Sequence, residues 1–153
     1  MITNPFHKKI VFFIVMLFVC HSVFSQSPVP GLLEAFSKTN SSKEKADICF
    51  NISSWYSDRL KIDSGFFYAN KIKEFSQPAG YETGVGKYYL ALSFALRYRS
   101  RYAEAEENVL KAIEIFSSQK EILFLGRSYW QLATIQYIAN NIIQSRKDRK
   151  SVV

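Results

Sequence analysis

The sequence predicts an all-α fold made of antiparallel helix pairs, each pair a copy of the one before it. Three observations predict it. Apolar residues recur at helical spacing in the stretch 86–116, where Tyr89, Leu92, Ser93 and Leu96 share one face. After the interruption at Arg99-Ser100-Arg101, Tyr102, Ala105, Val109 and Ala112 share another. Small residues (Ser93, Ala105, Ala112) stand where large ones would hold two helices apart. A shift of 40 residues superimposes the whole pattern. Cys49, Tyr89 and Tyr129 coincide, as do Ile52, Leu92 and Leu132, then Ser53, Ser93 and Ala133. In the second helix of each pair Ile62, Tyr102 and Ile142 align, followed by Gly65, Ala105 and Ser145; Lys71 matches Lys111 and Ile72 matches Ala112. Chance can copy apolar periodicity, but it is far less able to keep small residues in phase at both crossing points.

Taken in order, residues 1–25 read as a secretory signal peptide. Lys8-Lys9 precede an unbroken apolar run of ten, Ile10 to Val19, and Val23-x-Ser25 before Gln26 suits a cleavage site. A membrane span needs about 20 apolar residues, which this run does not supply. Cys20 as a lipidated residue is the weaker reading, because bulky Phe18 and Val19 stand where small residues are required. Residues 26–41 form an extension. Pro28 and Pro30 keep its start extended, and Pro30 suits the first turn of a short helix over 31–38 with Leu32, Leu33 and Phe36 on its apolar side.

The repeats occupy 42–153, divided as 42–80, 81–120 and a partial third at 121–153. Ser41-x-x-Glu44 is a capping-box pattern that starts a helix running to Asp58 or Arg59, with Cys49, Ile52, Ser53 and Tyr56 on its inner face. Asp63 is the expected N-cap of the partner helix, 64–75, whose inner face carries Gly65, Ala69 and Ile72. Gln77-Pro78-Ala79-Gly80 ends it. In the third unit the first helix spans 121–139 and a second is expected near Ile142. Arg146-Lys147-Asp148-Arg149-Lys150 replaces its apolar face, so that a polar terminal cap and a truncated sequence stand as equal explanations.

Composition removes several function classes. The formal charge is +7; without Lys8 and Lys9, 18 of the 20 Lys and Arg remain against all 13 acids, a mild basic surplus. Arg97, Arg99 and Arg101 and the tail cluster read first as solvated helix ends. Both histidines, His7 and His21, fall in the signal segment with Cys20. Beyond residue 25 Cys49 stands alone, which leaves no Ser-His-Asp or Cys-His pair, no Cys/His zinc site and no intramolecular disulfide. Cys49 lies on an apolar helical face and reads as an inert thiol. Glu104, Glu106 and Glu107 are the densest acidic group, but they decorate a helix beside Lys111 and read as solvated, i,i+4-paired residues.

The spacing within each unit resembles the tetratricopeptide repeat: a bulky residue, an apolar-small pair three residues on, an apolar residue, then a small-apolar-small series. Tyr89, Leu92-Ser93, Leu96, Tyr102, Ala105, Val109 and Ala112 carry it best. The resemblance implies a right-handed solenoid of about 2.5 repeats behind a signal peptide helix. The 40-residue period exceeds the usual 34 and is similar to that of the extracytoplasmic sensor regions of bacterial histidine kinases and transcriptional regulators. It further implies a concave side lined by the first helices. By phase that side carries Phe50, Ser54 and Asp58, then Lys87, Leu90, Phe94, Arg97 and Tyr98, then Arg127, Trp130, Thr134, Tyr137 and Ile138. Lys87, Phe94, Arg97, Tyr98, Arg127, Trp130 and Tyr137 are the candidate peptide-binding residues, with aromatics for area and cations for acidic groups. The competing reading packs Phe50, Phe94 and Trp130 between neighbouring units.

The expected function is a non-enzymatic, exported, periplasmic or secreted binding module for a peptide or partner protein, one form of which is the sensor remnant of a signal-transduction protein. It uses no metal and no cofactor. A structural or assembly role in an envelope complex, acting through self-association at the incomplete third unit, is the alternative. Nucleic-acid binding conflicts with the exported start.

Overall fold

The computed structural model describes residue 9 and residues 27–151, with side chains through Gln144. The expected signal segment, 1–25, therefore lies outside the described residues apart from position 9. Backbone contacts divide the chain into Met1–Gly31 and Leu32–Val153. Of the first unit, 27–31 open a helix, with Ser27 Oγ accepting from the Val29 N–H at 3.2 Å. The second unit contains the repeats.

Six helices and no strand occur among the described residues: α1 Val29–Lys38, α2 Ser42–Asp58, α3 Ile62–Ser76, α4 Glu82–Tyr98, α5 Tyr102–Ser118 and α6 Ile122–Ser151. The chain is all-helical, and its arrangement is compatible with a helical repeat. Ser41 caps α2 by accepting from the Glu44 N–H, as the sequence pattern requires. The other half of the box is altered: the Glu44 carboxylate takes its hydrogen bond from Thr39 Oγ1, and Thr39 Oγ1 accepts from the Ser41 N–H at 3.1 Å.

The turns recur with a strict spacing. One residue per turn has a left-handed backbone: Leu60 (φ 58°), Gly80 (φ 58°), Ser100 (φ 59°) and Lys120 (φ 57°). After each, an N–H reverses onto the helix just ended. Lys61 donates to the Tyr56 carbonyl (3.0 Å), Tyr81 to Ser76 (3.0 Å), Arg101 to Leu96 (3.0 Å) and Glu121 to Phe116 (2.9 Å). This is a Schellman ending, which satisfies carbonyls that the helix leaves orphaned. Its repetition at intervals of 20 residues sets α2 to α5, each of 15 to 17 residues, side by side.

Packing follows from that spacing. α2, α4 and α6 touch in a row, α3 lies against α2 and α4, and α5 lies against α4 and α6; α3 and α5 do not touch. The small residues sit at the crossings. Ser53, Ala69, Ser93, Ala105 and Ala112 are fully buried, and Ser53 Oγ donates to the Gly65 carbonyl at 2.8 Å. A Cβ at Gly65 would stand 2.5 Å from Ser57 Oγ, and one at Gly86 would stand 2.7 Å from the Phe116 ring, so both positions need hydrogen for the approach to occur. Ile52, Ile72, Leu90, Val109 and Phe116 fill the space between, each contributing about 1.5–3 kcal/mol by leaving water.

Two expectations are corrected. Asp63 is not an N-cap: α3 starts at Ile62 behind Lys61, which makes no side-chain cap, and Asp63 in the first turn pairs with Arg99 across the corner. The third unit has no second helix within the described residues, because α6 runs unbroken to Ser151. No Gly or Pro follows Gly126 within it, and Asn140, where the 20-residue spacing calls for a left-handed residue, stays helical. The side chains of 145–153, including the basic run expected to replace the apolar face, lie outside the described residues.

Candidate functional site

The sequence-predicted binding residues divide by position in the row α2–α4–α6. Lys87 and Phe94, on the central helix, are buried (6 % and 7 % exposed). Lys87 Nζ lies 2.7 Å from Asp47 Oδ1 on α2 and 3.2 Å from the Tyr81 hydroxyl, and it stands over the Phe124 ring at 4.6 Å. The Tyr81 hydroxyl donates to Asp47 Oδ1 at 3.0 Å, so one carboxylate serves both groups. Burial raises the Tyr81 pKa, partly opposed by its hydrogen bond with Lys87. Lys87 thus ties α4 to α2 and is no free cation on a groove. Phe94, like Phe50 (2 % exposed), packs within the core, as the competing reading has it.

Arg97 and Tyr98 are half-buried at the end of α4. The Arg97 guanidinium stacks over the Tyr98 ring at 4.4 Å, and its buried Nε makes no hydrogen bond. Its corner neighbours are taken up locally: Arg99 by Asp63 and Arg101 by Glu104. The acidic group on α5 is likewise occupied. Glu107 pairs with Lys111 at 2.7 Å, which lowers its pKa, and Glu106 accepts from Gln136 Nε2 at 2.8 Å.

Arg127, Trp130 and Tyr137 behave differently. All three are exposed on α6, Trp130 at 61 % and Tyr137 at 70 %. Ile122 (82 %) and Leu123 (73 %) extend the same apolar surface. Ile122, Leu123, Gly126, Arg127 and Trp130 line an open cleft of about 470 Å³. The Arg127 guanidinium lies over the Phe50 ring at 5.2 Å and the Phe124 ring at 5.9 Å and has no ion-pair partner among the described residues. Phe124 itself stacks on Phe116 (5.2 Å) and meets Phe50 edge-on (5.6 Å), so the floor under Arg127 is aromatic.

The repeat register explains why this face is bare. Gly126, Trp130 and Ala133 correspond to Gly86, Leu90 and Ser93 on α4 and to Ala46, Phe50 and Ser53 on α2. Those six residues are buried, whereas Gly126, Trp130 and Ala133 are exposed. An added Cβ at Gly126 meets nothing within 4 Å, while the same addition at Gly86 collides with Phe116. The face that receives the following helices on α2 and α4 receives none on α6. Sequence reading missed Ile122, Leu123 and Gly126. Their signal was the alignment of Leu123 with Thr83 and Gly126 with Gly86, positions that are covered one unit earlier.

Among the described residues no group of three or more His, Cys, Asp or Glu is placed to hold a metal ion, and no helix is long and apolar enough to cross a membrane. The chain matches no protein-family model, no curated protein and no solved structure with which it was compared.

Proposed function

We propose that the chain is a non-enzymatic protein-interaction module of the tetratricopeptide type, a right-handed solenoid of about 2.5 repeats, exported by residues 1–25. It binds a helical segment of a partner protein on the outer face of α6. The observation that carries this reading is the exposure on α6 of repeat positions that are buried on both α2 and α4. Those positions accept a helix in the two preceding units, so their natural occupant is another helix. Trp130 and Leu123 supply apolar area, Gly126 and Ala133 permit close approach, and Arg127 offers a charge-assisted hydrogen bond to a carboxylate on the partner. The extracytoplasmic sensor role implied by the resemblance belongs to the same proposal.

The probe is a synthetic peptide with the sequence of α5, Tyr102–Ser118, whose counterpart within the chain covers this face on α4. The peptide is expected to bind the purified chain saturably and to protect the amides of 122–137 from hydrogen exchange. Trp130→Glu, at an exposed position, is expected to keep the circular dichroism spectrum and weaken binding at least about tenfold. Equal binding by the variant, or protection elsewhere, refutes the proposal.

A second reading rests on the alternation Leu123, Gly126, Trp130, Ala133, Tyr137. Large and small residues alternate with spacings of three and four, a seam that an antiparallel second copy complements. Light scattering separates the two: self-association through this face requires a dimer that Trp130→Glu dissolves.

A further inference from the structure

A second cavity, of about 320 Å³, lies between α1, α2 and α3. Leu33 and Phe36 of α1 and Phe67, Tyr68 and Phe75 of α3 surround it, with Phe36 and Phe75 meeting edge-on at 5.6 Å to close one end, and Cys49 of α2 contributes its thiol. Lys71 stands at the edge, paired with Glu74 at 2.7 Å and 6.0 Å from the Phe67 ring. Its volume falls at the small end of the range for ligand pockets, roughly 300–1,000 Å³.

The next repeat shows what is missing. Cys49 aligns with Tyr89, and Lys71 with Lys111. In the second unit the Tyr89 ring occupies the inner face with Lys111 Nζ 5.7 Å from its centroid. In the first unit the lysine remains but the ring is gone, replaced by a side chain far too small to fill its place. The walls have changed to match. Phe67 and Tyr68 stand where the second unit has Glu107 and Asn108, so the first unit sets two aromatic residues beside a small central side chain where the second sets two polar ones beside a central ring. Phe67 is 56 % exposed and Leu33 is 43 % exposed, an arrangement that leaves apolar area open to water around the gap.

We propose that this cavity binds a small free aromatic molecule, phenol-like in size, whose ring takes the place that Tyr89 holds one repeat later. Its walls suit one ring or a fused pair and leave no room for a helix. Phe36, Phe67 and Phe75 supply edge and face contacts, the Cys49 sulfur supplies a sulfur–aromatic contact, and Lys71 supplies a cation over the ring. Burial pushes the Cys49 thiol up to about 12, so it stays neutral and binding is non-covalent.

The test uses p-cresol, the side chain of tyrosine, with the full chain, and cyclohexanol as an aliphatic control of similar size. The unfolding midpoint is expected to rise saturably with p-cresol and not with cyclohexanol. Cys49→Tyr, which installs the ring, is expected to raise the midpoint without ligand and abolish the p-cresol response. Should that variant fail to fold, Phe67→Glu, which copies the second unit at an exposed position, must weaken p-cresol binding at least about tenfold. Absence of a saturable response in the unsubstituted chain, an equal response to cyclohexanol, or undiminished binding by either folded variant overturns the proposal.

Discussion

Replacing Lys120 with glycine is expected to stabilise the chain. Lys120 holds φ 57° in the turn between α5 and α6, a backbone that brings the Cβ of an L-residue too close to the following carbonyl. That conformation costs about 1–2 kcal/mol for a residue with a side chain. Glycine removes the clash but loses more freedom on folding, which returns roughly 0.5–1 kcal/mol to the unfolded state. The lysine side chain is exposed and makes no hydrogen bond or ion pair among the described residues, so nothing else is forfeited. The net gain is about 0.5–1 kcal/mol. In urea, with a slope of roughly 1–2 kcal/mol/M, the midpoint should move up by about 0.5 M. Ser100→Gly should gain somewhat less, since Ser100 Oγ also accepts from the Tyr102 hydroxyl at 3.3 Å. Leu60→Gly should gain less, since Leu60 is 66 % exposed and part of its apolar area is lost. Gly80→Ala is the inverse experiment and should lose about 1 kcal/mol. A fall in midpoint for Lys120→Gly, or no change for Gly80→Ala, would refute the claim that the four turns are equivalent.

Two further outcomes follow from buried groups. Gln131 is fully buried and neither atom of its amide is hydrogen-bonded, so Gln131→Met should raise stability in thermal unfolding by about 1–2 kcal/mol; a loss would show that the amide is satisfied in solution. Cys49 holds its proton up to about 12 when folded, because burial disfavours the thiolate, whereas the unfolded thiol releases it near 9.0. Between those values the unfolded state binds fewer protons, so stability must fall as pH rises through this window. In a Cys20→Ser background, Cys49→Ala should make that decline shallower. The raised pKa values of Tyr68, Tyr81 and Tyr88, each buried in part, leave a residual slope of the same sign above 10.0. An unchanged slope in Cys49→Ala would show that the thiol is not burdened by burial.

Much of the helical arrangement was legible because it depends on residue size and local chemistry. Ser53, Ser93, Ala105 and Ala112 announced where helices cross, and all are fully buried. Ser41-x-x-Glu44 announced the start of α2. The left-handed turns were not legible, since only Gly80 advertises such a backbone; Leu60, Ser100 and Lys120 adopt it because the chain must reverse between antiparallel helices within a few residues. The continuation of α6 past Asn140 was hidden for the opposite reason. Asparagine tolerates a left-handed turn but does not compel one.

The candidate site was harder to read because repeat phase does not determine exposure. Lys87, Arg127 and Asp47 share one repeat position, as do Leu90, Trp130 and Phe50. Phase alone assigned Lys87 and Phe94 to the same open groove as Arg127 and Trp130. Exposure instead depends on how many sides of a helix are taken. α4 is held by α2, α3, α5 and α6, so its lysine becomes a buried partner for Asp47 and its phenylalanine becomes core. α6 packs along α4 and α5 and reaches α2 through Phe124 and Arg127, so its remaining side stays open and the same repeat positions emerge as an exposed tryptophan and an arginine without a carboxylate among the described residues. The sign of the charge follows that progression. Asp47 satisfies Lys87 one step along the row, but Lys87 cannot satisfy Arg127 at the next step, because both are cations. An acid on the helix proposed to cover α6 would meet Arg127, and Arg127→Glu should weaken that binding while leaving the circular dichroism spectrum unchanged.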